Sequence, residues 1–117
     1  MKLRLSANTI RVRLNRNEVD RFAAEGRIVE EIKFAGGSRL SYALVSSPDA
    51  GSVFANFDGG SLVIEIPETP GMGWACSDEV TIETEPMEGP KIMIEKDFQC
   101  LHGKDVPDPE AFPNPAG

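Results

Sequence analysis

Apolar and polar residues alternate in short runs along nearly the whole chain, and that period of two is what most restricts the fold. Successive side chains of a strand point to opposite faces, so such runs read as strands with one buried face. Leu3 and Leu5 alternate with Lys2 and Arg4, and Ile10, Val12 and Leu14 alternate with Arg11 and Arg13. Between these runs the phase slips by one residue across Ala7-Asn8-Thr9, which predicts a bulge or a tight turn. Further runs follow at 27–34, at Leu40, Tyr42 and Leu44, at 53–57, at 62–66, at Val80 and Ile82, and at Ile92 and Ile94.

One stretch breaks this period. Val19, Phe22 and Ala23 stand at i, i+3 and i+4, behind Asn15 with Glu18 three residues on, and ahead of Gly26. That is a capping-box start, one apolar stripe and a glycine stop, and it predicts a short helix over 16–25. Asp58-Gly59-Gly60 between two alternating runs predicts a hairpin joining 53–57 to 62–66. The glycines of Pro70-Gly71-Met72-Gly73 argue for irregular chain or a single helical turn there. Short connections favour antiparallel neighbours over crossovers. The expectation is an α+β chain with a predominantly antiparallel, barrel-like sheet of about seven strands and one short helix, 16–25, after the first strand. The residues show no internal repeat.

Residues 1–103 read as one globular domain, and 104–117 as a proline-rich acidic tail without regular structure, with Phe112 as its only large apolar anchor. No apolar run is long enough to span a bilayer. Met1-Lys2-Leu3-Arg4-Leu5 enters directly into a charged alternating pattern, without the apolar stretch of a secretory signal. The expected compartment is therefore cytoplasmic, with Cys76 and Cys100 as reduced thiols.

The formal net charge is −7, unevenly spread. Residues 1–45 carry nine Lys and Arg against five Asp and Glu, and residues 46–117 carry three against fourteen. An acidic chain is a poor general binder of nucleic acid or anionic membrane, because phosphate neutralisation needs a surplus of cations. The expected partner is a protein or a small molecule, and the oligomeric state is open.

Candidate chemistry falls in three places. Arg4, Arg11 and Arg13 stand on the polar faces of the opening strands, where guanidinium forks suit a small anion. The competing role is cross-strand pairing with Glu30, Glu65 or Glu83. Trp74, among glycines, either lines a ligand pocket or caps the core, so the ligand-binding candidates are Arg11, Arg13 and Trp74. Cys100 and His102 stand two apart, and in an extended segment they share one face. With Asp97 or Cys76 they form a candidate metal set, for which zinc is the fitting cofactor. The competing role is a small buried thiol beside a surface histidine. An enzyme with Cys100 as nucleophile and His102 as base needs a third group to orient the base, from Asp97, Asp105 or Asp108. No nucleotide-binding, zinc-protease or hydrolase motif occurs, which favours a non-enzymatic binding or interaction module over catalysis.

The opening Met1-Lys2-Leu3-Arg4 through Arg11-Val12-Arg13-Leu14 and the closing Glu95-Lys96-Asp97-Phe98-Gln99-Cys100-Leu101 resemble a family of small bacterial proteins, a domain of unknown function. The resemblance extends to the ending Ala111-Phe112-Pro113-Asn114-Pro115. It implies that the Cys-Leu-His segment belongs to the family pattern, and it carries over no activity, cofactor or catalytic residue.

Overall fold

A computed structural model describes residues 1–84 and 88–97. The strands are β1 (Lys2–Ser6), β2 (Thr9–Leu14), β3 (Arg27–Lys33), β4 (Arg39–Ser47), β5 (Phe54–Asp58), β6 (Ser61–Pro67), β7 (Thr81–Thr84) and β8 (Lys91–Lys96). Helix α1 (Arg16–Glu25) follows β2, and α2 (Glu68–Ala75) follows β6. The strands form two four-stranded sheets, sheet A in the order β1-β2-β8-β7 and sheet B in the order β3-β4-β6-β5. The fold is α+β, as expected. Among the described residues, the barrel-like sheet of about seven strands gives way to two open sheets with eight strands.

The extra strand comes from the slip at Ala7-Asn8-Thr9. It is a two-residue turn, with Ala7 at φ +50°, so residues 2–14 form an antiparallel hairpin rather than one strand. Each sheet is built from two such hairpins. Their second strands meet at the sheet centre in parallel, β2 beside β8 and β4 beside β6. Short connections set the hairpins, but the central pairs join segments far apart in sequence.

Helix α1 has the expected bounds. Asn15 Oδ1 accepts from Glu18 N–H at 2.9 Å, Glu18 Oε1 accepts from Asn15 N–H at 2.9 Å, and Gly26 closes the helix in the left-handed conformation. Its first turn is further tied down because the Met1 amine pairs with Glu18. Around residues 70–76 irregular chain or a single helical turn was expected, and the eight-residue α2 is longer than that. It forms despite two glycines because Gly71 lets it lie on β6. A Cβ there would stand 3.1 Å from Ile66 Cγ2. Pro70 lies in the first turn, where a missing N–H costs no helical hydrogen bond.

The chain is also internally two-fold. A step of 52 residues carries Lys2 onto Phe54, Thr9 onto Ser61, Arg16 onto Glu68 and Arg39 onto Lys91, each the first residue of its element. The unit ββαββ occurs twice, and each copy contributes one hairpin to either sheet. The same step carries Val12, Leu14 and Phe22 of the core onto Ile64, Ile66 and Trp74. No repeat is visible in the sequence because only apolar character and turn geometry are shared. The central parallel pairs differ in register by two residues, Thr9 standing beside Lys91 and Ser61 beside Ser41. A shift of two keeps every side chain on its own face.

The inward faces of both sheets and the two helices share one core, with Val12, Leu14, Phe22, Leu44, Ile66, Trp74 and Ile94 fully buried. Phe22 and Trp74 meet edge to face near the internal two-fold, with centroids 6.2 Å apart and planes at 72°.

Candidate functional site

The outer face of sheet A gathers the cations of the opening hairpin. In an antiparallel pair, residues directly opposite share a face, so Arg4 stands beside Arg11, and Ser6 beside Thr9. The parallel register adds Met93 beside Arg11 and Lys91 beside Thr9. These six residues line a shallow concavity of about 320 Å³, with no carboxylate in its wall among the described residues. Two arginines in direct register repel each other. Glu95 relieves part of this from one side: its Oε1 lies 2.9 Å from Arg11 Nε and 3.9 Å from Arg13 Nε. Met93 Sδ sits 3.5 Å from Arg11 Nη2. Lys91 pairs with Glu83 at 2.6 Å. Arg4 has no ion-pair partner among the described residues. Arg13 stands one row further along and outside the concavity, beside Glu95.

Arg11 and Arg13 therefore find a carboxylate, but not Glu30, Glu65 or Glu83. Their partner is Glu95 on β8, which only the parallel β2–β8 pairing brings near.

A second, larger cleft of about 940 Å³ opens between the start of α1, the end of α2 and the end of β8. Leu14, Val19 and Ala75 give it an apolar floor, and Arg16, Asp20, Asp78, Lys96 and Asp97 a rim of both signs. Cys76 also lines it, exposed and without a disulfide partner among the described residues. A hydrogen bond from Lys2 Nζ at 2.9 Å holds the Asp97 carboxyl below its ordinary pKa, and the charges of Lys2 and Arg13 act the same way.

The chain matches a family of unknown function (DUF7009) over residues 1–116. It belongs to that family. No curated protein and no solved structure matches it. The DUF7009 match spans both the opening and the closing segments on which the resemblance was read.

Within this DUF7009 chain the candidate residues separate. Arg11 lines the basic concavity, with Arg4, which sequence reasoning placed in the patch but not among the ligand-binding candidates. Trp74 lines neither cavity. It is fully buried on Phe22, its Nε1–H donates to the Val80 carbonyl at 2.9 Å, and Lys96 Nζ lies 5.5 Å from the ring centroid. That places Trp74 in the core, the role that competed with lining a ligand pocket. Cys76 and Asp97 come together on the second cleft, while Cys100 and His102 lie outside the described residues. So do Asp105, Asp108, Phe112 and the tail 104–117. Among the described residues, no three His, Cys, Asp or Glu side chains are grouped to hold a metal, and no helix is long and apolar enough to cross a membrane. Lys91, Ser6 and Thr9 were not singled out in the sequence. The signal for Ser6 and Thr9 was available, since the turn at Ala7-Asn8 puts them opposite each other; Lys91 needs the parallel pairing.

Proposed function

We propose that this chain acts by binding, and that the outer face of sheet A holds a small anion in the concavity lined by Arg4, Ser6, Thr9, Arg11 and Lys91. The observation that carries the reading is the Arg4–Arg11 pair, in direct register in a wall without a carboxylate among the described residues. The internal two-fold supplies a comparison within the molecule. The step of 52 residues puts Asn56, Asp58, Ser61 and Val63 where Arg4, Ser6, Thr9 and Arg11 stand, with Arg39 as the counterpart of Lys91, so sheet B lacks the arginine pair. The fold does not need an arginine pair at this position, so ordinary sheet stability is a weak reason for its presence on sheet A. Guanidinium forks and paired hydroxyls suit the oxygens of a phosphate or carboxylate. An exposed thiol at Cys76 fits a reducing compartment such as the cytoplasm.

Isothermal titration with inorganic phosphate at low ionic strength tests the reading. The parent binds. Arg4→Gln, which removes one charged donor, weakens binding by about tenfold or more, as the loss of a hydrogen bond to a charged group does. Arg21→Gln on the exposed face of α1 leaves the affinity unchanged. Absence of binding, or equal binding by Arg4→Gln, sinks the proposal.

The second cleft supports a second reading, as a metal site. Cys76 and Asp97 share its wall, and Cys100 follows Asp97 by three residues, within about 10 Å of extended chain. A thiolate pair with a carboxylate and the imidazole of His102 is a donor set for zinc. Cobalt(II) added to the reduced full-length chain then gives a thiolate charge-transfer band that Cys76→Ser weakens. A spectrum without that band rules the reading out.

A further inference from the structure

The outer face of sheet B differs from that of sheet A in a way the shared architecture does not require. Where sheet A has the cross-strand row Arg4–Arg11–Met93–Glu83, sheet B has Asn56–Val63–Ala43–Val29. The next row of sheet B adds Val45 and Phe54. An apolar stripe thus crosses all four strands on the side away from the core. Val29 is 45% exposed and Phe54 is 37% exposed. The central strands β4 and β6 are apolar on both faces, through Ala43-Leu44-Val45 and Leu62-Val63-Ile64. Strands of that kind are normally covered on both sides, and contiguous exposed apolar surface marks an interaction site. Among the described residues nothing covers this face: both helices pack against the sheets from the core side.

We propose that a second copy of this chain covers it, through a two-fold, face-to-face contact of the two B sheets. Charge selects the occupant. The β3–β4 half of the face carries Arg27, Lys33 and Arg39 beside Glu31, and the β6–β5 half carries Glu65 and Asp58. A two-fold axis parallel to the strands, between β4 and β6, lays the first half of one copy over the second half of the other. Halves of opposite net charge then meet, with Arg27 one strand over from the other copy's Glu65 in the same row and Glu31 over Asp58, while the apolar stripe is buried in the middle of an isologous interface. Arg27 and Glu65 lie in one cross-strand row, and neither has an ion-pair partner among the described residues. Glu65 is half-buried between Val45 and Phe54. The contact brings each of these charges to within one strand spacing of its counterpart on the other copy and leaves both basic concavities of the A sheets facing outward. It stands independently of the anion reading.

Sedimentation equilibrium of the full chain tests it. The expected species has twice the 12.7 kDa chain mass. Val63→Arg, and separately Val29→Lys at an already exposed edge position, each raise the dissociation constant by about tenfold or more while circular dichroism stays that of the parent. Arg27→Glu weakens the dimer, and the double change Arg27→Glu with Glu65→Arg restores it, because in a two-fold contact each exchanged charge meets its exchanged partner. A mass that stays at one chain at every concentration overturns the proposal. So does a dimer that Val63→Arg and Val29→Lys leave intact, which would place the contact on another face.

Discussion

Trp74→Ala is expected to remove about 3–5 kcal/mol of folding free energy, the range for a large buried aromatic replaced by alanine. Trp74 is fully buried, and its indole N–H is satisfied by the Val80 carbonyl at 2.9 Å. Truncation opens a void between α2 and α1 and leaves that carbonyl without its indole donor. For a domain of this size such a loss is a large share of total stability. Phe22→Ala, at the internally equivalent position, is expected to cost a similar amount. Because the two rings touch edge to face, the double variant loses less than the sum of the singles, by about 0.5–1.5 kcal/mol. Urea unfolding of the four proteins measures this directly. A loss under about 1 kcal/mol for Trp74→Ala would remove the aromatic pair from the centre of the account.

Gly60→Val is expected to destabilise nearly as strongly, for two separable reasons. Gly60 has φ +79°, and a non-glycine residue held there costs about 1–3 kcal/mol. In addition, its Cβ would stand 2.8 Å from the Arg39 carbonyl oxygen, which belongs to the neighbouring strand's backbone and cannot swing away. Gly59 provides the contrast: φ is +57° with no atom within 4 Å of a built Cβ. Its internal counterpart Ala7 adopts φ +50° with a side chain present. Gly59→Asn should therefore fold almost as well as the parent, and Gly60→Val should lower the melting temperature by more than about 4–8 °C, the shift per kcal/mol for a domain this small. Equal melting temperatures for the two variants would mean that the contact with Arg39 does not constrain the hairpin.

What the sequence made legible was whatever depends on neighbours in the chain. Asn15, Glu18 and Gly26 bracket α1 at the expected residues because capping is a local hydrogen-bond problem. Asp58-Gly59-Gly60 closes the expected hairpin, with Phe57 opposite Leu62, because the turn itself fixes the register. The rest depends on contacts between distant segments. Local preference disfavours α2, and burial of Trp74 against Phe22 outweighs the two glycines that argued against it. The parallel pairs β2–β8 and β4–β6 leave no trace in loop lengths, and without them neither Glu95 nor Lys91 can be placed beside Arg11. The repeat escaped notice because Phe22 and Trp74, or Arg11 and Val63, share a position in the fold and not a residue type. The arginine patch was visible as a pattern of residues. That it forms a concavity without a carboxylate wall was not, since the wall is half built from β8. The Cys100–His102 pair lies beyond the described residues, and only its neighbours Cys76 and Asp97 are placed.

The central claim is that sheet A carries an anion site while the equivalent surface of sheet B does not. Amide chemical shifts followed by two-dimensional NMR during a phosphate titration address it most directly. The account predicts saturable shifts at Arg4, Ser6, Thr9, Arg11 and Lys91, which share one affinity, and none at Asn56, Asp58, Ser61 or Val63. Shifts of equal size on both sheets, or shifts that grow linearly without saturating, would contradict it.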